Sequence, residues 1–305
     1  MLMSERQNPK QRVYCLISRL VWHGLAVPVK LYCRLLPCRS GGSTSCCALL
    51  HTFDGYKRFW PAALFFSDSA LPSGLSLICV SEMIPMDHLG TRYLLTGSGS
   101  FVWRLLRAVH QLRRTYRFVL YLQEDMWLPN PVPQSSLESW LALMYKHQLH
   151  LLKLSAESMP RNVPPLLANQ PSLDHTGSLR ITWYGCQDFA LSHHVSLFDA
   201  DFLLKTLLFA WIMGARKPKE HEIYVSKALR SLLTSWEHPD RPVRIAAWQQ
   251  QPLIEMVHAS DGGELTPAAI ALLAEHPDAP VVDESLPGEV FPARQSSRRG
   301  RHALG

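Results

Sequence analysis

Four acids stand where the sequence leaves short, largely apolar runs: Asp54 after CCALLHTF, Glu82 closing LSLICVSE, and the adjacent pair Glu124-Asp125 after FVLYLQ. Hard divalent cations want oxygen ligands, and Mg²⁺ usually takes one or two carboxylates plus substrate phosphates. A cation held that way offsets the charge of a leaving diphosphate, which suits transfer from a nucleotide sugar. Adjacent acids also serve as turn or capping residues with solvated charge, and spacing alone favours that second reading. His193-His194 are neighbours whose side chains point apart on a strand or helix, so they read as core or surface histidines. Gly97-x-Gly99 shows no strand pattern directly before it and no third glycine, both expected of a phosphate-cradling loop. It reads instead as a helix entry capped by Ser100. Asp188, Asp199 and Asp201 read as loop and cap residues.

The elements that must position these acids follow from periodicity. Cys46–Phe53, Leu75–Glu82 and Phe118–Leu122 are short continuous apolar runs bounded by turn signals, as expected of buried strands. Between the first two, Tyr56, Phe59, Trp60, Ala63 and Leu64 recur at helical spacing until Pro72-Ser73-Gly74 stops the pattern. After Ser100, Phe101, Val102, Leu105, Leu106, Val109 and Leu112 form an apolar stripe, and Arg104, Arg107 and Arg114 are expected on the opposite face. Leu137, Trp140, Leu141, Met144 and Tyr145 mark a further helix. Alternating buried strands and helices predict an α/β fold, a Rossmann-like, mostly parallel sheet with helices on both faces. In such sheets ligands bind beyond the carboxyl ends of the strands, where all four acids fall.

Composition narrows the classes. A chain of 305 residues, 47% of them hydrophobic, can bury its own core. Its net charge of +6 is unevenly spread: residues 1–45 carry +6 and residues 294–305 carry +4, which leaves −4 for residues 46–293. An acidic body with basic tails argues against nucleic acid as a partner. Residues 13–37 are apolar but broken by Arg19, His23, Pro28, Lys30 and Arg34, which fits an interfacial amphipathic segment better than a spanning helix. The expected organisation is a basic amphipathic segment over 1–45, one domain over 46–293 and an Arg-rich disordered tail over 294–305. The seven cysteines show no CxxC spacing and read as reduced thiols of a cytoplasmic protein.

Four runs carry a resemblance: TFDGYKRFWPAALFF (Thr52–Phe66), YLQEDMWLPNPV (Tyr121–Val132), ALSHHVSLFDADFLLKTL (Ala190–Leu207) and KPKEHEIYVSK (Lys217–Lys227). Their order and spacing resemble bacterial glycosyltransferase-like proteins of surface-polysaccharide synthesis (lipopolysaccharide or capsule), which are similar to the GT-A nucleotide-sugar transferases. The strand end here reads Gln123-Glu124-Asp125 where that family has D-x-D, and the last run lacks its aromatic residue. The resemblance implies a GT-A-like fold and a hexosyltransferase-like enzyme moving a sugar from a nucleotide-diphosphate donor to a cell-surface glycan or lipid-linked acceptor, at the cytoplasmic face of the membrane. It implies that Asp54, Tyr56 and His193 belong to the nucleotide-sugar site. Asp125 with Glu124 would hold the donor and a divalent cation, Mg²⁺ or Mn²⁺, and Glu222 or Glu220 would be the base for the acceptor hydroxyl. Glu222 reads equally as a helix-start acid before Ile223–Leu233. The alternative function is a non-catalytic nucleotide- or partner-binding member of the same fold.

Overall fold

Strand β1 (Cys46–His51) is apolar throughout because it is covered twice: Cys47 and Leu49 pack to one side of it, Ala48 and Leu50 to the other, all fully buried. The same division runs through β2 (Ser76–Ser81) and β4 (Phe118–Gln123). Ile78, Val80, Val119 and Tyr121 join the first side, and Leu77, Cys79, Leu120 and Leu122 the second. These positions belong to a computed structural model that describes residues 45–82, 92–155, 181–183, 191–229, 245–248, 253–261, 263–280 and 282. The expected tails, with Asp188, lie outside the described residues apart from Ser45.

Five further strands complete the central sheet: β3 (Arg92–Leu95), β6 (Leu151–Lys153), β7 (Ile181–Trp183), β8 (Ser196–Asp199) and β9 (Ile245–Trp248). The order is β3-β2-β1-β4-β8-β6-β9-β7, with β8 and β7 antiparallel to the other six. One face carries α1 (Trp60–Ala70), α3 (Gln134–Lys146) and α6 (Pro267–Glu275). The other carries α2 (Phe101–Leu112), α4 (Ala200–Ile212) and α5 (Pro218–Leu229). The protein is thus α/β with a mostly parallel sheet flanked by helices on both faces, as the strand and helix pattern predicts. Two small ribbons lie outside that sheet, one pairing β5 (Met126–Trp127) with β10 (Val257–His258), the other β11 (Ser260–Asp261) with β12 (Glu264–Leu265).

Several local expectations are corrected. The helix expected from Tyr56 begins as a 3-10 turn over Asp54–Phe59, and only then does α1 start, with a proline in its first turn. Tyr145 is 49% exposed and off the packed stripe of α3. Arg104 does not face water but is 3% exposed. Helix α5 starts at Pro218, so Glu222 stands in its second turn and not at a helix start. Ser100 does cap α2, accepting from the Trp103 N–H, and Asp199 caps α4, accepting from the Phe202 N–H. Cys46, Cys47 and Cys79 make no disulfide among the described residues, and burial pushes Cys46 up to about 12. Among the described residues no helix is long and apolar enough to cross a membrane.

Candidate functional site

The chain passes from β1 to β2 to β3 on one side of β1 and then returns to place β4 on the other. The crevice beyond the carboxyl ends of β1 and β4 is therefore a topological switch point, the usual ligand position in an open α/β sheet. Asp54 follows β1, Glu82 follows β2, and Glu124-Asp125 follow β4.

On the β1 side, the acids are tied to one another. Asp54 Oδ1 accepts from the Glu82 N–H at 3.0 Å, and the Asp54 N–H donates to Glu82 Oε2 at 3.3 Å. The Thr52 N–H and hydroxyl both donate to the Val80 carbonyl, at 2.8 Å each. Arg104 closes this network from α2. Its Nε sits 3.1 Å from Glu82 Oε1 as an ion pair rather than an aligned hydrogen bond, and its Nη1 donates to the Thr52 carbonyl at 3.3 Å. Burial lowers the Arg104 pKa, while Glu82, Glu124 and Asp54 act to raise it, so the guanidinium lies in the field of all three.

On the β4 side, Glu124 and Asp125 form the turn into β5. The Trp127 indole N–H donates to the Glu124 carbonyl at 3.0 Å, and the Asp125 carbonyl accepts from the Ala259 N–H at 2.7 Å. Burial raises the Glu124 pKa well above the usual carboxylate range, and the Asp125 charge beside it adds to that. Burial raises Asp125 too, with His258 acting the other way. Asp125 Oδ1 is buried and has no hydrogen-bond partner among the described residues. The Tyr56 phenol is also raised, by burial and then by Glu124 and Asp125, which places all three groups in one electrostatic neighbourhood. Two partly desolvated carboxylates side by side resist ionising together, and a divalent cation relieves that conflict. Among the described residues no group of three or more His, Cys, Asp or Glu converges on a metal position. Two carboxylates could supply only part of the oxygen shell that a hard cation needs.

The far wall is made by β6, β8 and α5. Lys153 ends β6 and is 1% exposed, and burial pushes its amine down to about 7. Glu222 Oε1 accepts from the His193 N–H at 2.6 Å; burial raises its pKa, opposed by that hydrogen bond and by Lys153. The Glu222 charge also acts on Tyr121 of β4, and the Tyr121 and His193 rings lie 5.5 Å apart, so these elements are neighbours at this end of the sheet. His193 Nε2 and His221 Nδ1 lie 2.8 Å apart and share a hydrogen, and burial lowers the pKa of both, His221 to about 3. Phe101 is wedged between the rings of His51 and His193, with centroids 4.7 and 4.8 Å away. His51 Nδ1 lies 3.2 Å from the Tyr121 hydroxyl, which also accepts from Gln123 Nε2 at 2.9 Å. His194 turns the other way, toward His258, with ring centroids 5.2 Å apart.

Asp54, Tyr56, Glu124, Asp125, His193 and Glu222 are thus gathered at one end of the sheet. Glu220 is not: it caps the start of α5 from the solvent side, accepting from the N–H groups of Arg216 at 2.7 Å and Lys217 at 3.1 Å. Glu82 stands with the other strand-end acids, where its place at the end of an apolar run put it. Four residues of this region had no role assigned from the sequence: Arg104, Lys153, His51 and His258. They lie in separate segments of the chain and meet only through the sheet.

No family model and no curated protein matches the chain. Among solved structures the fold is similar to S. aureus TarS 1–349, with 13% identity over 68% of this chain and 58% of that one and a TM-score of 0.39. It is similar to the same protein in complex with UDP, with 13% identity, coverage of 67% and 58%, and a TM-score of 0.37. It is also similar to the apo-form glycosyltransferase GlyE of Streptococcus pneumoniae, with 12% identity, coverage of 64% and 46%, and a TM-score of 0.37. The chain spans about half the length of these proteins.

Proposed function

We propose that this chain is a glycosyltransferase whose donor is a nucleoside diphosphate sugar. The observation that carries the reading is the switch-point crevice. It gathers a buried Asp125 oxygen with no hydrogen-bond partner among the described residues, its neighbour Glu124, the Asp54–Glu82–Arg104 network and a raised-pKa Glu222. In this reading Asp54 and Tyr56 line the nucleotide side, and His193 positions Glu222. Asp125 and Glu124 hold a divalent cation, Mg²⁺ or Mn²⁺, which neutralises charge on the donor diphosphate when bound. Glu222 takes the proton of the acceptor hydroxyl as its oxygen bonds to the sugar's anomeric carbon and the bond from that carbon to the diphosphate breaks, releasing the nucleoside diphosphate. A carboxylate raised toward neutral pH is a better proton acceptor than an ordinary one. The acceptor is a cell-surface glycan or its lipid-linked precursor, met at the inner face of the membrane.

A second reading, a nucleotide-binding protein that does not transfer, is favoured by the Glu222–His193 hydrogen bond, because a structural anchor would make the same contact. Donor turnover separates the two. The protein is incubated with Mn²⁺ and, in turn, UDP-glucose, UDP-N-acetylglucosamine and GDP-mannose, and release of nucleoside diphosphate is followed. Slow release from at least one donor is expected. Nucleotide binding with no release from any donor would select the non-catalytic reading.

A further inference from the structure

The sheet edge formed by β3 is marked by charge. From residue 88 to residue 123 the chain has six arginines and no Asp or Glu, although residues 46–293 together carry −4. The acids that neighbouring elements bring to this stretch are already engaged: Glu82 pairs with Arg104, Asp201 with Arg113 and Asp199 with Arg117. Arg92, Arg107 and Arg114 are exposed, and among the described residues none of them has an ion-pair partner. On α2, His110 stands between Arg107 and Arg114 and accepts from Arg114 Nη2 at 3.3 Å. Burial lowers the His110 pKa, and the charges of Arg114 and Arg113 lower it further, as a positive field does.

Two of these guanidiniums bracket β3. Arg92 opens the strand on its α2 side, where Nη1 lies 3.5 Å from the Tyr116 hydroxyl. Arg107 reaches the other end, where its Nη1 donates to the Thr96 carbonyl. From Arg92 to Thr96 an extended strand rises about 13 Å. Leu95, 43% exposed, falls on the same side as Tyr93, away from α2. Strand β3 also ends the sheet: among the described residues no strand pairs with its outer side. The Thr96 N–H donates to the Ser81 carbonyl, so Arg92, Leu94 and Thr96 turn their backbone groups to β2, and alternation leaves those of Tyr93 and Leu95 outward. Such an edge is a template for another strand.

The charge narrows what that strand is. A second copy pairing edge to edge would set like charges against each other. A lipid surface would answer the charges but leave the outward N–H and C=O groups unmet. Among the described residues the α2 side of this edge also exposes no large apolar side chain for it. An extended acidic segment answers both the charges and the backbone. We infer that β3 takes up such a segment of a partner protein as an added strand, with alternate carboxylates facing Arg92 and Arg107 and the side chains between them facing Leu95. This inference does not depend on the glycosyltransferase reading.

The test uses the full chain and a short fluorescein-labelled peptide of alternating glutamate and valine, followed by fluorescence anisotropy at low salt. The peptide is expected to bind, and at least about tenfold more weakly once its glutamates are replaced by glutamine. Methylating its backbone nitrogens should weaken it similarly, because the charge stays while the strand hydrogen bonds go. Arg92→Glu and Leu95→Pro should each weaken the parent peptide about tenfold or more. Proline at that position removes an outward N–H and leaves the ladder to β2 intact. If circular dichroism shows one variant unfolded, the other carries the protein side of the test. Phosphatidylserine vesicles and sedimentation of the chain alone test the other two occupants. Absence of peptide binding, equal binding of the glutamine or N-methylated peptide, or indifference to both substitutions would each overturn the inference. So would capture of vesicles without capture of the peptide, or a dimer that Leu95→Pro breaks.

Discussion

Glu222 is the residue on which chemistry and architecture are hardest to tell apart. Its carboxylate accepts from the His193 backbone, lies in the field of Lys153 and is raised by burial, conditions that suit a base and an anchor alike. Glu222→Gln separates them, because the amide oxygen can still accept from His193 but takes up no proton. Transfer should fall about 10²–10⁴-fold, the usual contribution of a positioned base, with nucleotide affinity retained. Full activity in that variant would make Glu222 an anchor only. At this scale the sequence was informative where partners are adjacent, as in Glu124-Asp125, and where an acid ends an apolar run, as in Asp54. It was silent on His51, Lys153 and His258, which come from three distant segments. A lysine closing a three-residue strand has no pattern of its own to announce it.

Among the elements, α2 shows why a helical stripe can mislead. The helix packs on the sheet and also against α4, where Trp103 and Trp211 lie with ring centroids 5.4 Å apart. Its buried arc is therefore wider than one stripe, and Arg104, three and four residues from Phe101 and Ala108, falls inside it. What makes that tolerable is the pairing with Glu82 and the bond to the Thr52 carbonyl, which link α2 to the ends of β2 and β1. Arg104→Met would leave Glu82 without its cation at the strand ends. Breaking a buried pair by removing one partner costs about 3–5 kcal/mol; with the Glu82 side chain 16% exposed, about 3 kcal/mol is expected by urea unfolding. A change below about 1 kcal/mol would show that the network is solvated. Helix boundaries were only partly legible too. Pro218 begins α5 a full turn before Glu222, since the charged stretch Lys217–Glu222 offers no apolar periodicity to mark it.

Across the whole molecule, the three long apolar strands declared the sheet, and the fold class followed from them. The antiparallel entries β8 and β7 did not declare themselves, because strands of three or four residues are too short to show direction or period. Global stability should nevertheless report on the cleft. Burial holds the Lys153 amine at about 7 against its ordinary 10.5, so between those values the unfolded chain carries a proton that the folded chain lacks. Stability contributed at this position therefore rises with pH through that window and is lost as pH falls toward 7. Relative to Lys153→Met, the wild type should gain about 2 kcal/mol in unfolding free energy between pH 7 and pH 9, read by urea titration at both values. A difference that does not change with pH would place the amine in water.

The proposed function requires that the β1/β4 crevice bind a nucleoside diphosphate through the carboxylate of Asp125. Calorimetry of UDP and GDP with Mn²⁺, on the wild type and on Asp125→Ala, tests it most directly. Binding of one nucleotide by the wild type, lost or weakened at least about tenfold in a folded Asp125→Ala, is the predicted result. No binding to the wild type, or equal binding to both proteins, would contradict it.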